Sequence, residues 1–315
     1  MRRTFVSLLG ALLLLIVGAI PAGALQDASP ESGLADLGLP ELEVTITATG
    51  FEGIGESLEA GRYVVTATAS EDSGEFGSAV AFVQPSGMTA EEFLAGLGGP
   101  PEEAAGEALE GTPAEGGEEM GGAPPPEYYA STFAGGAGVM PGETTIFVVD
   151  LMPGEWIAWG DDPAGSQEPV IFEVTGEMPA DLAEPESSAT LTMGEYIIAV
   201  TEGELTAGPQ VLKIENIGAQ PHFIASGRAT VEVTEADIEA VLESEMTGTP
   251  PAVDFNPDED FEDSFYTASQ STGTSVWIAV DLEPGTQVLL CFFPDMADGM
   301  PHAFKGMYAL IEIEE

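Results

Sequence analysis

The sequence predicts an all-β protein built as two tandem antiparallel β-sandwiches, and three observations carry that prediction. Short runs rich in Val, Ile and Thr recur along the chain between turn residues, and Gly and Pro together supply 63 of 315 residues. Many short strands joined by tight corners give this pattern. The chain also repeats itself in three matched blocks in the same order. Ala60-Gly-Arg-Tyr-Val-Val-Thr-Ala-Thr68 matches Ala207-Gly-Pro-Gln-Val-Leu-Lys-Ile-Glu215, and Thr89-Ala-Glu-Glu-Phe-Leu-Ala-Gly-Leu97 matches Thr234-Glu-Ala-Asp-Ile-Glu-Ala-Val-Leu242. Ile146-Phe-Val-Val-Asp-Leu-Met-Pro-Gly154 matches Trp277-Ile-Ala-Val-Asp-Leu-Glu-Pro-Gly285. Such a period is far longer than that of a solenoid, so each unit is expected to be a domain with its own core. A hydrophobic content of 44% suffices to build two such cores.

Taken in order, the chain opens on a basic Met1-Arg-Arg3, an almost wholly apolar stretch over 7–20 and a small-residue cleavage pattern at Ala22-Gly-Ala24. These are the parts of a secretory signal, expected over 1–24. The apolar run is short for a membrane helix, which needs about 20 such residues. The first unit is expected over 39–178, opening with a strand in 41–49 and continuing with the alternating run 63–68 after a Gly turn. Thr89, with Glu92 three residues on, is a helix N-cap candidate. Residues 98–127, rich in Gly, Pro and Glu and without periodicity, read as a disordered insertion. The Asp-Leu-x-Pro-Gly block near 150 is a corner between two strands.

Residues 179–188 read as a linker, and the second unit is expected over 189–315. Its opening strands fall in 189–201 and its next in 211–215. Thr234 with Asp237 caps a second helix, whose apolar spacing at Ile238, Val241 and Leu242 gives one buried face. One short helix per unit is therefore expected. Residues 247–262 read as a shorter counterpart of the insertion, and 275–280 and 287–292 as strands on either side of the second Pro-Gly corner.

The formal charge is −49, and only Arg62, Lys213, Arg228 and Lys305 remain basic beyond the signal. Nucleic-acid binding is excluded on that ground, since phosphate neutralisation needs clustered Lys and Arg. Two readings of the acidity stand side by side: solubility in a demanding medium, and steering of a basic partner by a negative field.

The chemistry concentrates in very few residues. The chain has one cysteine and two histidines. They occur as His222 in Asn216-Ile-Gly-Ala-Gln-Pro-His222, then Cys291 and His302 in Cys291-Phe-Phe-Pro-Asp-Met-Ala-Asp-Gly-Met-Pro-His302, followed by Met307. An unpaired cysteine in an exported chain is a metal ligand, a buried inert thiol or half of an intermolecular disulfide. Singly, each residue also has an ordinary reading, as a loop histidine, a core thiol or core filler. Jointly they form the blue-copper donor set, two imidazoles and a thiolate in a plane with a weak axial thioether.

With those residues in view, the C-terminal half resembles the cupredoxins, the Greek-key β-sandwich family of plastocyanin-like blue-copper proteins, and the N-terminal half shares the likeness through the repeat. The resemblance implies a mononuclear type-1 copper held by His222, Cys291, His302 and Met307, one-electron transfer and a redox partner, with a basic docking surface to meet this acidic chain. Phe292, Phe293 and Phe304 are expected to keep water from the site. Two departures from the family pattern stand out. Ten residues separate Cys291 from His302, a longer loop than the family uses, and Phe223 follows His222 where the family commonly has an Asn that ties the two ligand loops. The first unit has no histidine, and Gly160 falls where Cys291 would align. It is expected to hold no copper.

No Ser–His–Asp or Cys–His catalytic arrangement, phosphate loop or dinucleotide fingerprint is present, and two histidines cannot supply the trinuclear cluster of a multicopper oxidase. A non-enzyme is expected, outside the cytoplasm and without a membrane span after signal removal. The alternatives are a metal-free β-sandwich protein of the cell envelope and a copper-binding chaperone using Met296, Met300 and Met307.

Overall fold

The computed structural model describes residues 33–34, 37–74, 78–98, 124–160 and 167–314. The expected signal lies outside them, as does 99–123 of the expected insertion. The first unit runs β1 (Glu41–Thr47), β2 (Gly50–Glu52), β3 (Ser57–Glu59), β4 (Gly61–Ala69), β5 (Ser78–Gln84), helix α1 (Ala90–Gly98), the one-turn helix α2 (Pro126–Ala130), β6 (Thr132–Val139), β7 (Thr144–Leu151), β8 (Gly154–Trp159) and β9 (Val170–Thr175). The second runs β10 (Ala189–Gly194), β11 (Ile197–Gly203), β12 (Gly208–Asn216), β13 (Ala225–Ala229), α3 (Glu235–Thr247), the short α4 (Pro257–Asp260), β14 (Phe261–Tyr266), β15 (Ser275–Leu282), β16 (Gly285–Leu290), a 3-10 turn (His302–Lys305) and β17 (Tyr308–Ile313).

Each unit is a sandwich, as expected, and the two share a layer. One sheet has the order β11-β10-β12-β15-β7-β4-β1-β2 and runs through both units. The facing layers are β3-β9-β8-β5-β6 in the first and β14-β13-β16-β17 in the second. The outer strand β1 alternates, sending Leu42, Val44 and Ile46 inward, the mark of a sheet solvated on one side. β7 is buried on both faces. Phe147, Val149 and Leu151 enter the main core, while Ile146 and Val148 join an outer cluster with Trp277 and Leu34.

β7 and β15 form the seam, pairing Phe147 with Ile278 and Val148 with Trp277. The repeat makes Phe147 and Ile278 equivalent, so the units meet by a local two-fold in which a residue faces its own counterpart. Self-complementary pairing of this kind is what symmetric subunit interfaces use. The other layers also meet, through bridges Ala134–Gln270 and Ala137–Thr267.

The structure corrects three expectations. Pairing is not wholly antiparallel, because β1 runs parallel to β4, β10 to β12 and β3 to β9. In the first unit the chain crosses to the facing layer at β3 before returning, so β4 arrives beside β1 in the same direction. Alternation within a strand carries no information about that. Nor is there one helix per unit: α2, α4 and the 3-10 turn add to α1 and α3, and α2 begins at Pro126, a residue favoured in the first helical turn. Residues 247–262, expected to lack order, hold α4 and the start of β14. The two caps follow the reading of the sequence. Thr234 and Asp237 form a reciprocal capping box, and the Glu92 amide donates to Thr89 Oγ1 while Glu92 accepts from the Thr89 amide.

One acidic residue in this framework sets a pH dependence. Burial pushes the Asp263 carboxyl on β14 up to about 6. A raised folded-state value means the charged form is penalised above pH 6, and the penalty fades as pH falls toward the unfolded value near about 4. Asp263→Asn is expected to raise stability at pH 7 by at most about 3 kcal/mol and to add little near pH 4. Urea unfolding at both pH values checks this, and equal gains at the two would contradict it.

Candidate metal centre

Two loops at one end of the second sandwich carry the donors. His222 lies beyond the end of β12, and Asn216 shapes the turn between. Asn216 is fully buried; its Nδ2 donates to Gln220 O (2.8 Å) and Gln270 O (2.7 Å), and its Oδ1 accepts from the Gly218 amide (2.8 Å). The backbone of His222 is then fixed by two bonds with Gln270, at 3.0 and 2.8 Å. Cys291 follows β16 directly, with its amide bonded to Met307 O and its carbonyl accepting from Ala303 N. His302 opens the 3-10 turn; its amide bonds Phe293 O and its carbonyl accepts from Met307 N. Backbone bonds thus tie Cys291, His302 and Met307 into one unit before any side chain is considered.

Side chains of His222, Cys291, His302 and Met307 are all fully buried. The two Nδ1 atoms lie 3.0 Å apart, and Cys291 Sγ stands 3.8 Å from that of His222 and 3.7 Å from that of His302. A triangle with those edges has a point about 2.1 Å from every corner, the distance at which imidazole nitrogen binds a first-row divalent ion and close to that for thiolate. The donors present therefore fit a metal. His222, Cys291 and His302 are the one such cluster among the described residues.

The surroundings of the far nitrogens favour one tautomer. His222 Nε2 faces Glu195 Oε1 at 3.9 Å and His302 Nε2 faces Asp295 Oδ2 at 3.7 Å. A carboxylate beside Nε2 favours the proton there and leaves Nδ1 with a lone pair for the centre. Gly218 admits this packing, since a Cβ there would stand 2.8 Å from His222 Nε2. Burial lowers both imidazoles to about 4, with the neighbouring His302 adding to the effect on His222. Both are neutral at pH 7. Burial pushes the Cys291 thiol up to about 12, so a thiolate here requires a bound cation.

Asp295, within the long Cys–His loop, is the residue that sequence reasoning missed. It is almost fully buried and accepts from Tyr196 Oη (2.6 Å), Gln220 Nε2 (3.2 Å) and Ala297 N (2.8 Å), with Lys305 Nζ at 3.0 Å. These partners hold its carboxyl well below the usual carboxylate range against the cost of burial. Through Gln220 it joins the His222 loop to the Cys–His loop. This tie between the two donor-bearing loops is made by Asp295, while Phe223 packs on Tyr266 (5.5 Å). Tyr196 sets its ring edge-on to His302 (5.6 Å) from a backbone φ of 60°, the one positive φ outside glycine among the described residues. A tyrosine there costs on the order of 1–2 kcal/mol, and the hydrogen bond to Asp295 and the ring contact with His302 hold it.

Phe293 packs on His302 at 6.1 Å and Phe292 on Phe304 at 6.3 Å. Met300 is half-buried and Met296 stands exposed, unlike the four buried residues. In the first unit the place of Cys291 is closed: a Cβ on Gly160 would meet Gln167 Oε1 at 2.2 Å and Ser78 Oγ at 2.7 Å, and those two side chains are bonded to each other.

No family model and no curated protein matches the sequence. Among solved structures the chain is similar to dithionite-reduced auracyanin from the photosynthetic bacterium Roseiflexus castenholzii, at 22% identity over 40% of this chain and 95% of that one, with a TM-score of 0.26. It is similar to auracyanin B at 15% identity over 43% and 96%, TM-score 0.25. Copper nitrite reductase from Nitrosomonas europaea matches at 10% identity over 87% and 94%, TM-score 0.23. The donor geometry stands independently of these likenesses.

Proposed function

We propose that this cupredoxin-like chain is an electron-transfer protein whose second unit holds one type-1 copper ion through His222, Cys291 and His302, with Met307 as the axial thioether, while the first unit holds none. One observation carries the reading: two neutral Nδ1 atoms and one sulfur converge, fully buried, on a point at metal-bonding distance from all three. Bound copper would supply a one-electron couple. The protein's part is to keep water out with Phe292 and Phe293 and to hold the donors by backbone bonds that do not depend on charge state. Small rearrangement between charge states favours electron transfer over substrate turnover, so we assign no enzymatic role.

The redox partner is proposed to dock beside the site, where Tyr196, Ile197, Ile217 and Met296 are exposed. An apolar contact rimmed by this chain's acidic residues suits a partner with a basic surface, whose exchange rate then falls with added salt. We also place the mature chain outside the cytoplasm, on the strength of its N-terminal sequence. Among the described residues no helix is long and apolar enough to cross a membrane.

The deciding experiment is a Cu(II) titration of the purified chain. An intense charge-transfer band near about 600 nm is expected, lost in Cys291→Ser. A colourless product from the unsubstituted chain would overturn the copper reading.

A further inference from the structure

All four proposed donors belong to the second unit, yet the segments that carry them are gripped from the first. Tyr128 of α2 stacks on Phe293 (5.8 Å, 18°), which packs on His302. Behind Tyr128 stacks Phe93 of α1 (5.8 Å, 10°), so the contact is backed by that unit's own core. Tyr129 meets the same Phe293 edge-on (5.9 Å), and its hydroxyl donates to Pro294 O at 3.1 Å. This is one flank, the Cys–His loop.

The other flank is the His222 segment. Ser271 Oγ donates to Ser131 O (3.0 Å) and accepts from the Phe133 amide (2.9 Å), and the Ser271 amide donates to Phe133 O (2.9 Å). Ala134 bridges Gln270, the residue that makes both backbone bonds to His222. Gly135, at φ +95°, permits this closeness: a Cβ there would stand 3.0 Å from Gln270 Cγ. Residues 128–135 therefore reach both donor-bearing segments at once.

We propose that the first unit, which has no donors of its own, is the positioning body for those of the second, with Tyr128 and Tyr129 as its positioning residues. The physical need is visible in the loop. Ten residues between Cys291 and His302 carry more conformational freedom than a tight loop would, and that freedom must be removed for the donors to stay in place. Asp295 fixes the loop from within its own unit. The Tyr128–Tyr129 wall fixes its Phe293–Pro294 stretch from outside. The proposal rests on the copper reading only for what the ordered loop serves.

The test uses the full chain with Tyr129→Phe, which deletes one hydroxyl, with Tyr128→Leu, which deletes the stack, and with Tyr128→Phe as the conservative rescue. In the metal-free protein, amides of 292–307 are expected to exchange hydrogen about tenfold faster in Tyr128→Leu and measurably faster in Tyr129→Phe, with those of β1 and β4 unchanged and Tyr128→Phe close to the parent. With Cu(II) added, loss of the ion to a chelator is expected to speed up about tenfold in Tyr128→Leu. Unchanged exchange over 292–307 in both variants, or an increase spread evenly over the whole chain, would overturn the proposal. A parent protein that forms no charge-transfer band would end the copper reading, while the exchange measurement still decides the positioning role.

Discussion

Asp295→Ala is expected to lower copper affinity by about 10–100-fold, the usual effect of removing a group that orients the ligands from behind. The substitution takes one acceptor from Tyr196, Gln220, the Ala297 amide and Lys305 at once. Each lost partner acts on the site differently. Gln220 belongs to the loop that ends in His222, so of its two side-chain bonds to the other loop only the one its Oε1 accepts from the Met296 amide (2.6 Å) remains. Tyr196 loses the bond that helps hold its φ of 60° and its ring against His302. His302 Nε2 loses the carboxylate that favours a proton there, and with it the preference for an Nδ1 lone pair. Lys305 keeps Asp298 at 2.8 Å, so its charge is not left alone. The metal-free chain is expected to lose about 3 kcal/mol, because the Tyr196, Gln220 and Ala297 donors lose a charged acceptor together. Asp298→Ala, at the exposed end of the same lysine, is expected to leave copper affinity unchanged. Chelator competition measures the affinity and urea unfolding the stability. An Asp295→Ala affinity within about twofold of the parent would deny the residue its role in orienting the ligands.

What could be read from the sequence, and what could not, divides along physical lines. The candidate donors stood out because His and Cys are so rare here that their order along the chain is informative. The helix starts at Thr89 and Thr234 stood out because a capping box is local, spanning four residues. Asp295 had no such marker. It is one of 55 acidic residues, in a stretch whose Pro, Asp and Gly read as a turn, and its partners at 196 and 220 come from loops far away in sequence. Tyr129 and Pro294 are 165 residues apart, beyond the reach of any pattern. The seam is an intermediate case. β7 and β15 both read as nearly continuous apolar runs, Thr-Thr-Ile-Phe-Val-Val-Asp-Leu and Ser-Val-Trp-Ile-Ala-Val-Asp-Leu, the pattern of strands covered on both faces. That pattern marks an interior strand, and each run would be an edge strand if its unit stood alone. The two-fold pairing was therefore latent in the repeat, while the parallel pairing of β1 with β4 left no trace in either strand.

The same seam predicts the largest loss of stability. Trp277 sits on β15 opposite Val148 of β7, almost fully buried in the outer cluster that includes Leu34, Val64, Ile146, Val148 and Val211. The Arg62 guanidinium lies 4.5 Å from its ring centre and Lys213 Nζ 5.7 Å away. Arg62 is held there by two bonds to Asp150 and one to Ala183 O, between the two sandwiches. Residues from both units and from the segment between them thus close around one side chain. Trp277→Ala is expected to cost about 3–5 kcal/mol, since the ladder of β7 and β15 limits how far the walls can collapse into the space. For a chain of this size that is a fall in Tm of roughly 6–20 °C. The parent should melt in one transition, because one sheet runs through both cores. In Trp277→Ala, calorimetry should resolve two transitions, since the substitution removes the largest side chain of the outer cluster that both units share and spares each interior. Trp156, whose ring is buried among first-unit residues and bonded to Met152 O, is the control: its loss weakens one core and leaves the seam intact. If Trp277→Ala melted in a single transition close to that of the parent, the cohesion of the two units would have to reside in the β6–β14 layer, where Ala134 meets Gln270 and Ala137 meets Thr267.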